Sequence, residues 1–218
     1  ARRAGRGLGA TGKLTMATRP LLICDCDEVL LHFVTPFTGY LQSAHDLTLS
    51  MSSFALTGNV RRANGEAIEP GEFPALLNGF FDTHMSTQTP TPGAVDALAT
   101  LSNHADIVIL TNLQDHHAAE RTHELARFGM PYRVIGNQGP KGKPVAALVA
   151  EYGAKDVVFV DDLPPHHSSV KAEAPHVHRL HMVADPILWP LIPAAPDAHA
   201  RIDRWDDALP HIRSILGV

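Results

Sequence analysis

Leu21-Leu22-Ile23-Cys24-Asp25-Cys26-Asp27-Glu28-Val29-Leu30-Leu31 decides how the rest of the chain is read. An apolar run stops at two aspartates spaced i and i+2, then resumes. A short apolar run with such a break reads as a buried strand, here about Pro20–Asp25. Side chains at i and i+2 of a strand point the same way, so Asp25 and Asp27 leave its end together. Two like charges side by side in a buried place are costly without a positive partner. The remaining sequence is read for that partner.

Downstream, apolar strands and amphipathic helices alternate. Strands are expected at 105–110, 132–135, 156–160 and 177–182. Helices are expected at 94–101, 115–128, 144–152, 168–174 and 205–216, and the proline-rich stretch 186–199 is expected to be irregular. This alternation predicts an α/β fold with a parallel, Rossmann-like sheet covered by helices on both faces. Ligands of such sheets bind beyond the carboxyl ends of the strands. Three strands stop in polar residues at that edge: Asp25 with Asp27, Thr111 with Asn112, and Asp161 with Asp162. Lys141 and Lys143, in Gly139-Pro140-Lys141-Gly142-Lys143-Pro144, lie near the start of a helix. Between the first two motifs, residues 37–89 carry helical stripes (Phe37, Leu41, Ala44, Leu47; then Phe73, Leu76, Leu77, Phe80, Phe81, Met85). They read as a small helical insert, with Gln88–Gly93 leading back to the main body.

Hard carboxylate oxygens without thiolate or histidine ligands suit Mg²⁺, and such an ion answers the charge problem at Asp25 and Asp27. A carboxylate beside it can attack phosphorus. A lysine can screen the phosphate oxygens, and Thr111 with the amide of Asn112 can hold one of them. A second carboxylate two residues on can serve as general acid and base.

Asp25-x-Asp27, Thr111-Asn112, Lys141/Lys143 and Asp161-Asp162, in this order and each near a strand end, resemble the motifs of the haloacid dehalogenase (HAD) superfamily over about residues 19–175. The Asp-x-Asp form is similar to the phosphatase branch. The resemblance implies a Mg²⁺-dependent phosphatase that hydrolyses a small phosphorylated metabolite through an aspartyl-phosphate. Asp25 would be the nucleophile and Asp27 the general acid/base. Lys143, directly before Pro144, matches the family lysine, with Lys141 the alternative; Thr111 and Asn112 would bind phosphate. Metal would be held by Asp25, Asp27 through its carbonyl, and the Asp161-Asp162 pair, with Asp161 in direct contact and Asp162 in support. It implies a core at 19–36 and 90–218 with a cap at 37–89. The family's usual Gly-Thr after the second aspartate is Glu28-Val29 here, which stiffens the turn and points to slow turnover or an unusual substrate. Other reactions on the same scaffold are phosphomutase chemistry and phosphonate hydrolysis, though residues 37–89 hold no lysine for the latter. A low-turnover binding protein is a further alternative.

The net charge of −5 and the absence of a basic face speak against nucleic acid. No run of eighteen apolar residues is present, so no membrane span is expected. Cys24 and Cys26 read as buried thiols in a reduced, cytoplasmic protein. A disordered tail is expected over 1–18. Fourteen histidines make chance pairs common. His116 or His166 could face the substrate as a proton donor, and Arg61 or Arg62 could meet an anionic one. The sequence does not set the oligomeric state.

Overall fold

The computed structural model describes residues 18–50, 56 and 58–218. The tail expected over 1–18 lies outside the described residues except for its last position.

The first strand, β1 (Leu21–Cys24), is completely buried. It sits at the centre of a six-stranded parallel sheet of order β5-β4-β1-β6-β7-β8. The other strands are β4 (Asp106–Asn112), β5 (Arg133–Asn137), β6 (Val157–Asp161), β7 (His178–His181) and β8 (Ala200–Arg201). Period-two alternation sends β1 side chains to two separate cores. Leu22 and Cys24 pack with Ile107, Ile109, Val158 and Val160 under helices α3 (Ala94–Ser102) and α7 (Trp205–Leu216). Leu21 and Ile23 pack with Val108, Leu110 and Phe159 under α5 (Gly142–Tyr152) and α6 (Pro164–Glu173). With apolar side chains required on both faces, β1 reads as a continuous apolar run. Helix α4 (Ala118–Arg127) follows β4.

The insert between β1 and α3 holds α1 (Val34–His45), an antiparallel pair β2 (Thr48–Leu49) and β3 (Val60–Arg61), and α2 (Phe73–His84). Its helices follow the two apolar stripes, and α1 begins three residues before Phe37. The insert has its own core of Phe33, Phe37, Leu41, Phe80, Phe81 and others, which also takes in Leu113, Val183, Leu188 and Ile192 from the main body.

Two expectations are corrected. The strand at 177–182 is not the last, because two residues, Ala200–Arg201, add β8 beside β7. Such a short strand has no periodicity of its own. The two-residue strands of the β2–β3 pair are equally short. Helix α6 begins at Pro164, not Ser168, since proline is well suited to a helix's first turn. Among the described residues, no helix is long and apolar enough to cross a membrane.

Candidate active site

The site forms where β1, β4 and β6 end together. The register pairs Cys24 with both Ile109 and Val160, and the Asp25 amide donates to the Val160 carbonyl at 2.9 Å. The chain after Cys24 therefore emerges between the tips of its two neighbours. Asp25, Asp27, Thr111, Asn112 and Asp162 all line one pocket of about 150 Å³.

The positive partner of Asp25 is Lys141. Its Nζ lies 2.7 Å from Asp25 Oδ1 and 2.7 Å from Asp161 Oδ2, and the lysine is fully buried. Burial works against the ammonium, but the two carboxylates outweigh it and hold its pKa above the ordinary value. This corrects the expectation for Lys143, which is exposed on α5. The physical reason lies at Gly142. A Cβ there would stand 2.2 Å from the Ser169 carbonyl oxygen of α6, so α5 enters pressed against α6. The Gly142 amide also donates to Ser169 Oγ at 3.0 Å. That contact turns Lys141 inward, and Lys143, two residues and about 200° further round the helix, outward.

Three carboxylates (Asp25, Asp161 and Asp162) offer oxygens within 4.8 Å of one another. Asp161 is already committed: Oδ2 accepts from Lys141 and Oδ1 from the Leu163 amide at 2.9 Å. Asp162 makes no side-chain hydrogen bond among the described residues and faces the pocket. Burial, then Asp161 and Asp25, push its carboxyl well above the usual range. Burial also raises Asp25, against the pull of Lys141. Fully ionised, the trio with one lysine carries two unbalanced negative charges in a water-poor place. An oxygen-only donor set with that charge fits a hard divalent cation such as Mg²⁺.

Behind them, neutral histidines lock the backbone. His167 Nε2 donates to the Asp161 carbonyl at 3.0 Å, and burial depresses its pKa to about 4. His181 Nε2 donates to the Asp162 carbonyl at 2.8 Å, while its Nδ1 accepts from the Ala195 amide.

Asp27 has a different partner, one not expected from the sequence. Its Oδ1 accepts from Gln88 Nε2 at 2.7 Å and from Arg121 Nη2 at 3.2 Å. Arg121 is fully buried, with its guanidinium 5.6 Å from the Phe81 ring centroid. The available signal was Arg121 itself, four residues before Leu125 on the inward stripe of α4, where an arginine needs a partner.

Glu28 occupies the turn with φ 59°, a left-handed conformation that costs a non-glycine residue about 1–2 kcal/mol. Its side chain offsets this by accepting from the Phe33 amide at 2.8 Å and the Val34 amide at 2.6 Å, which caps α1. Val29 presents its carbonyl to Thr91 Oγ1 and Trp205 Nε1.

Among the described residues, Thr111 Oγ1 and His166 Nδ1 are buried without a hydrogen-bond partner, and both residues line the pocket. The Asn112 side chain is occupied: Nδ2 donates to the Gly139 carbonyl at 3.2 Å and Oδ1 accepts from Asn137. His116 does not line this pocket; with His117 it faces Asp82 of α2 at 3.6 and 3.3 Å. Arg62 pairs with Glu72, and Arg61 donates to the Gly65 carbonyl. Neither arginine lines the pocket.

No family model and no curated protein matches the chain. Solved structures do. A haloacid dehalogenase-like family hydrolase from Streptococcus pneumoniae superposes with TM-score 0.64 at 10% identity, over 90% of this chain and 99% of that one. A HAD-superfamily hydrolase of subfamily IA from Geobacter sulfurreducens gives 0.59 at 17%, over 88% and 99%. A HAD-type structure from Bacillus subtilis, bound to magnesium, gives 0.61 at 15%, over 93% and 100%. At these identities the likeness establishes the fold, and chemistry has to be argued from the residues.

Proposed function

We propose that this chain, which has the haloacid dehalogenase-like fold, is a Mg²⁺-dependent phosphatase of a small phosphomonoester. The observation that carries the reading is the buried constellation of Asp25, Lys141, Asp161 and Asp162 beside Asp27, at the carboxyl edge of a parallel sheet. The magnesium in the similar Bacillus subtilis structure supports the choice of ion.

Asp25, Asp162 and the Asp27 carbonyl would hold the ion, with Asp161 in support through Lys141. This reverses the order expected for the aspartate pair, because Asp162 lines the pocket and its side chain accepts no hydrogen bond among the described residues, whereas Asp161 does not line the pocket and is held by Lys141 and the Leu163 amide. The ion supplies charge neutralisation at the phosphate. Asp25 attacks phosphorus, and its Oδ1, held by Lys141 and by the Cys26 amide at 2.7 Å, leaves Oδ2 as the nucleophile. Lys141 offsets charge gathering at the carboxylates, and Thr111 Oγ1 donates to a phosphate oxygen. Asp27, fixed through Oδ1, uses Oδ2 to protonate the leaving alcohol. It then takes a proton from the water that cleaves the aspartyl-phosphate. Residues 37–89 act as the cap over this site.

The test is phosphate release from a panel of phosphomonoesters with and without Mg²⁺, run beside Asp25→Asn. Activity that needs Mg²⁺ and vanishes in the variant is expected. Full activity of Asp25→Asn would refute the mechanism.

A further inference from the structure

The walls of the pocket are chemically divided. The floor is mostly polar: Asp25, Asp27, Glu28, Thr111, Asn112, Asp162 and His166, with Leu163 among them. The roof is made of Phe33, Val34, Leu56, Phe73, Leu77 and Phe81. Among the described residues, no roof side chain carries a polar atom.

The roof is also packed ring against ring. Phe33 stacks on Phe37 at 5.1 Å and on Phe81 at 5.8 Å between centroids, and meets Phe80 edge-on at 5.3 Å. Phe37 in turn meets Phe73 edge-on at 6.1 Å and Phe80 at 5.5 Å. The cap arginines that could have met an anionic substrate are engaged elsewhere. An amide-lined cleft with Asn78, Gln114, Asn137 and Gln138 lies alongside. It shares Leu77, Phe81 and Asn112 with the pocket and includes none of Asp25, Asp27 or Asp162. A substrate whose phosphorus sits at Asp25 therefore meets apolar surface first.

We infer that the substrate is the phosphate ester of a compact apolar alcohol or phenol, and that hydroxylated or carboxylated esters are discriminated against. The inference rests on the phosphatase reading above and names its substrate class. A pocket of about 150 Å³ is small beside the roughly 300–1,000 Å³ of common ligand sites, which limits the leaving group to a few carbons or one ring. A hydroxyl held against this roof gives up its bonds to water and meets no polar side chain there, and apolar pockets discriminate against an added hydroxyl by about 100-fold.

The experiment compares kcat/KM for 3-methylbutyl phosphate and glycerol 3-phosphate with Mg²⁺. Both are primary alkyl esters, so leaving-group reactivity does not decide the outcome. A preference of about 30-fold or more for the methylbutyl ester is expected. Leu77→Ser, at a half-buried position, should shrink that preference about 5-fold or more, chiefly by slowing the methylbutyl ester. Equal or faster hydrolysis of glycerol 3-phosphate overturns the inference and leaves the phosphatase reading standing. Hydrolysis of neither ester, nor of any other phosphomonoester in the panel, overturns both.

Discussion

Replacing Lys141 by methionine removes the only ammonium in contact with Asp25 and Asp161 among the described residues and keeps roughly the same volume. Both carboxylates are buried and lie 2.7 Å from Nζ. Removing one partner from a buried ion pair costs about 3–5 kcal/mol, because the charge left behind stays out of water. In a chain of this size each kcal/mol moves Tm by about 2–4 °C, so a fall of about 6–20 °C is expected without metal. Phosphatase activity should drop by about 10²–10³, the usual loss when one fixed charge-stabilising group is removed. Lys143→Met is the control. That side chain is exposed, and its loss should stay within about 0.5 kcal/mol with activity retained. Thermal unfolding by circular dichroism and initial rates of phosphate release measure both effects. A Lys141→Met protein of unchanged Tm and activity, beside an inactive Lys143→Met, would refute the placement of the site lysine and the account of Gly142 that explains it.

Arg121→Met should lower kcat about 10- to 100-fold with little change in KM, since Asp27 keeps only Gln88 as an anchor. A raised KM at constant kcat would instead make Arg121 a phosphate contact. Burial pushes Glu28 up to about 7. A raised carboxyl pKa gives stability present below about 4.5 and lost as pH rises through 7. Glu28→Gln keeps Oε1 as the cap of α1, so it should abolish that loss and be more stable than the parent at pH 8 by about 1–3 kcal/mol, as read from urea midpoints. Burial, then His199 and His211, lowers His178 to about 4. The folded state therefore binds fewer protons than the unfolded one between pH 6.5 and 4, and stability falls as pH drops through that window. His178→Gln should remove about 1 kcal/mol of this acid loss, after allowance for solvent screening at a partly exposed group. An unchanged pH profile of Tm would reject that assignment.

Much of the fold was legible because its decisive strands are buried on both sides. Such strands can only be unbroken apolar runs, and β1, β4 and β6 stand out for that reason. Their polar ends were legible too, since a carboxylate at the tip of a buried strand has few structural uses. Asp25, Asp27, Thr111, Asn112, Asp161 and Asp162 could therefore be placed at one edge from the sequence alone. Two-residue strands such as β2, β3 and β8 were not legible, because their pairing is fixed by neighbours rather than by their own pattern.

Which cation meets which carboxylate was decided only by tertiary structure. Lys141 and Lys143 are two residues apart and chemically alike; the close approach of Gly142 to α6 turns one in and the other out. Arg121 reaches Asp27 across 94 residues of sequence, a contact that exists only once α4 has packed beside β4. The left-handed turn at Glu28 shows the same division. The sequence revealed an acid where the resembling family has glycine, but only the folded chain shows that acid capping α1. Local pattern determines which elements form and where polarity breaks them. Partner choice depends on how those elements close on one another, and a linear pattern carries no distance between them.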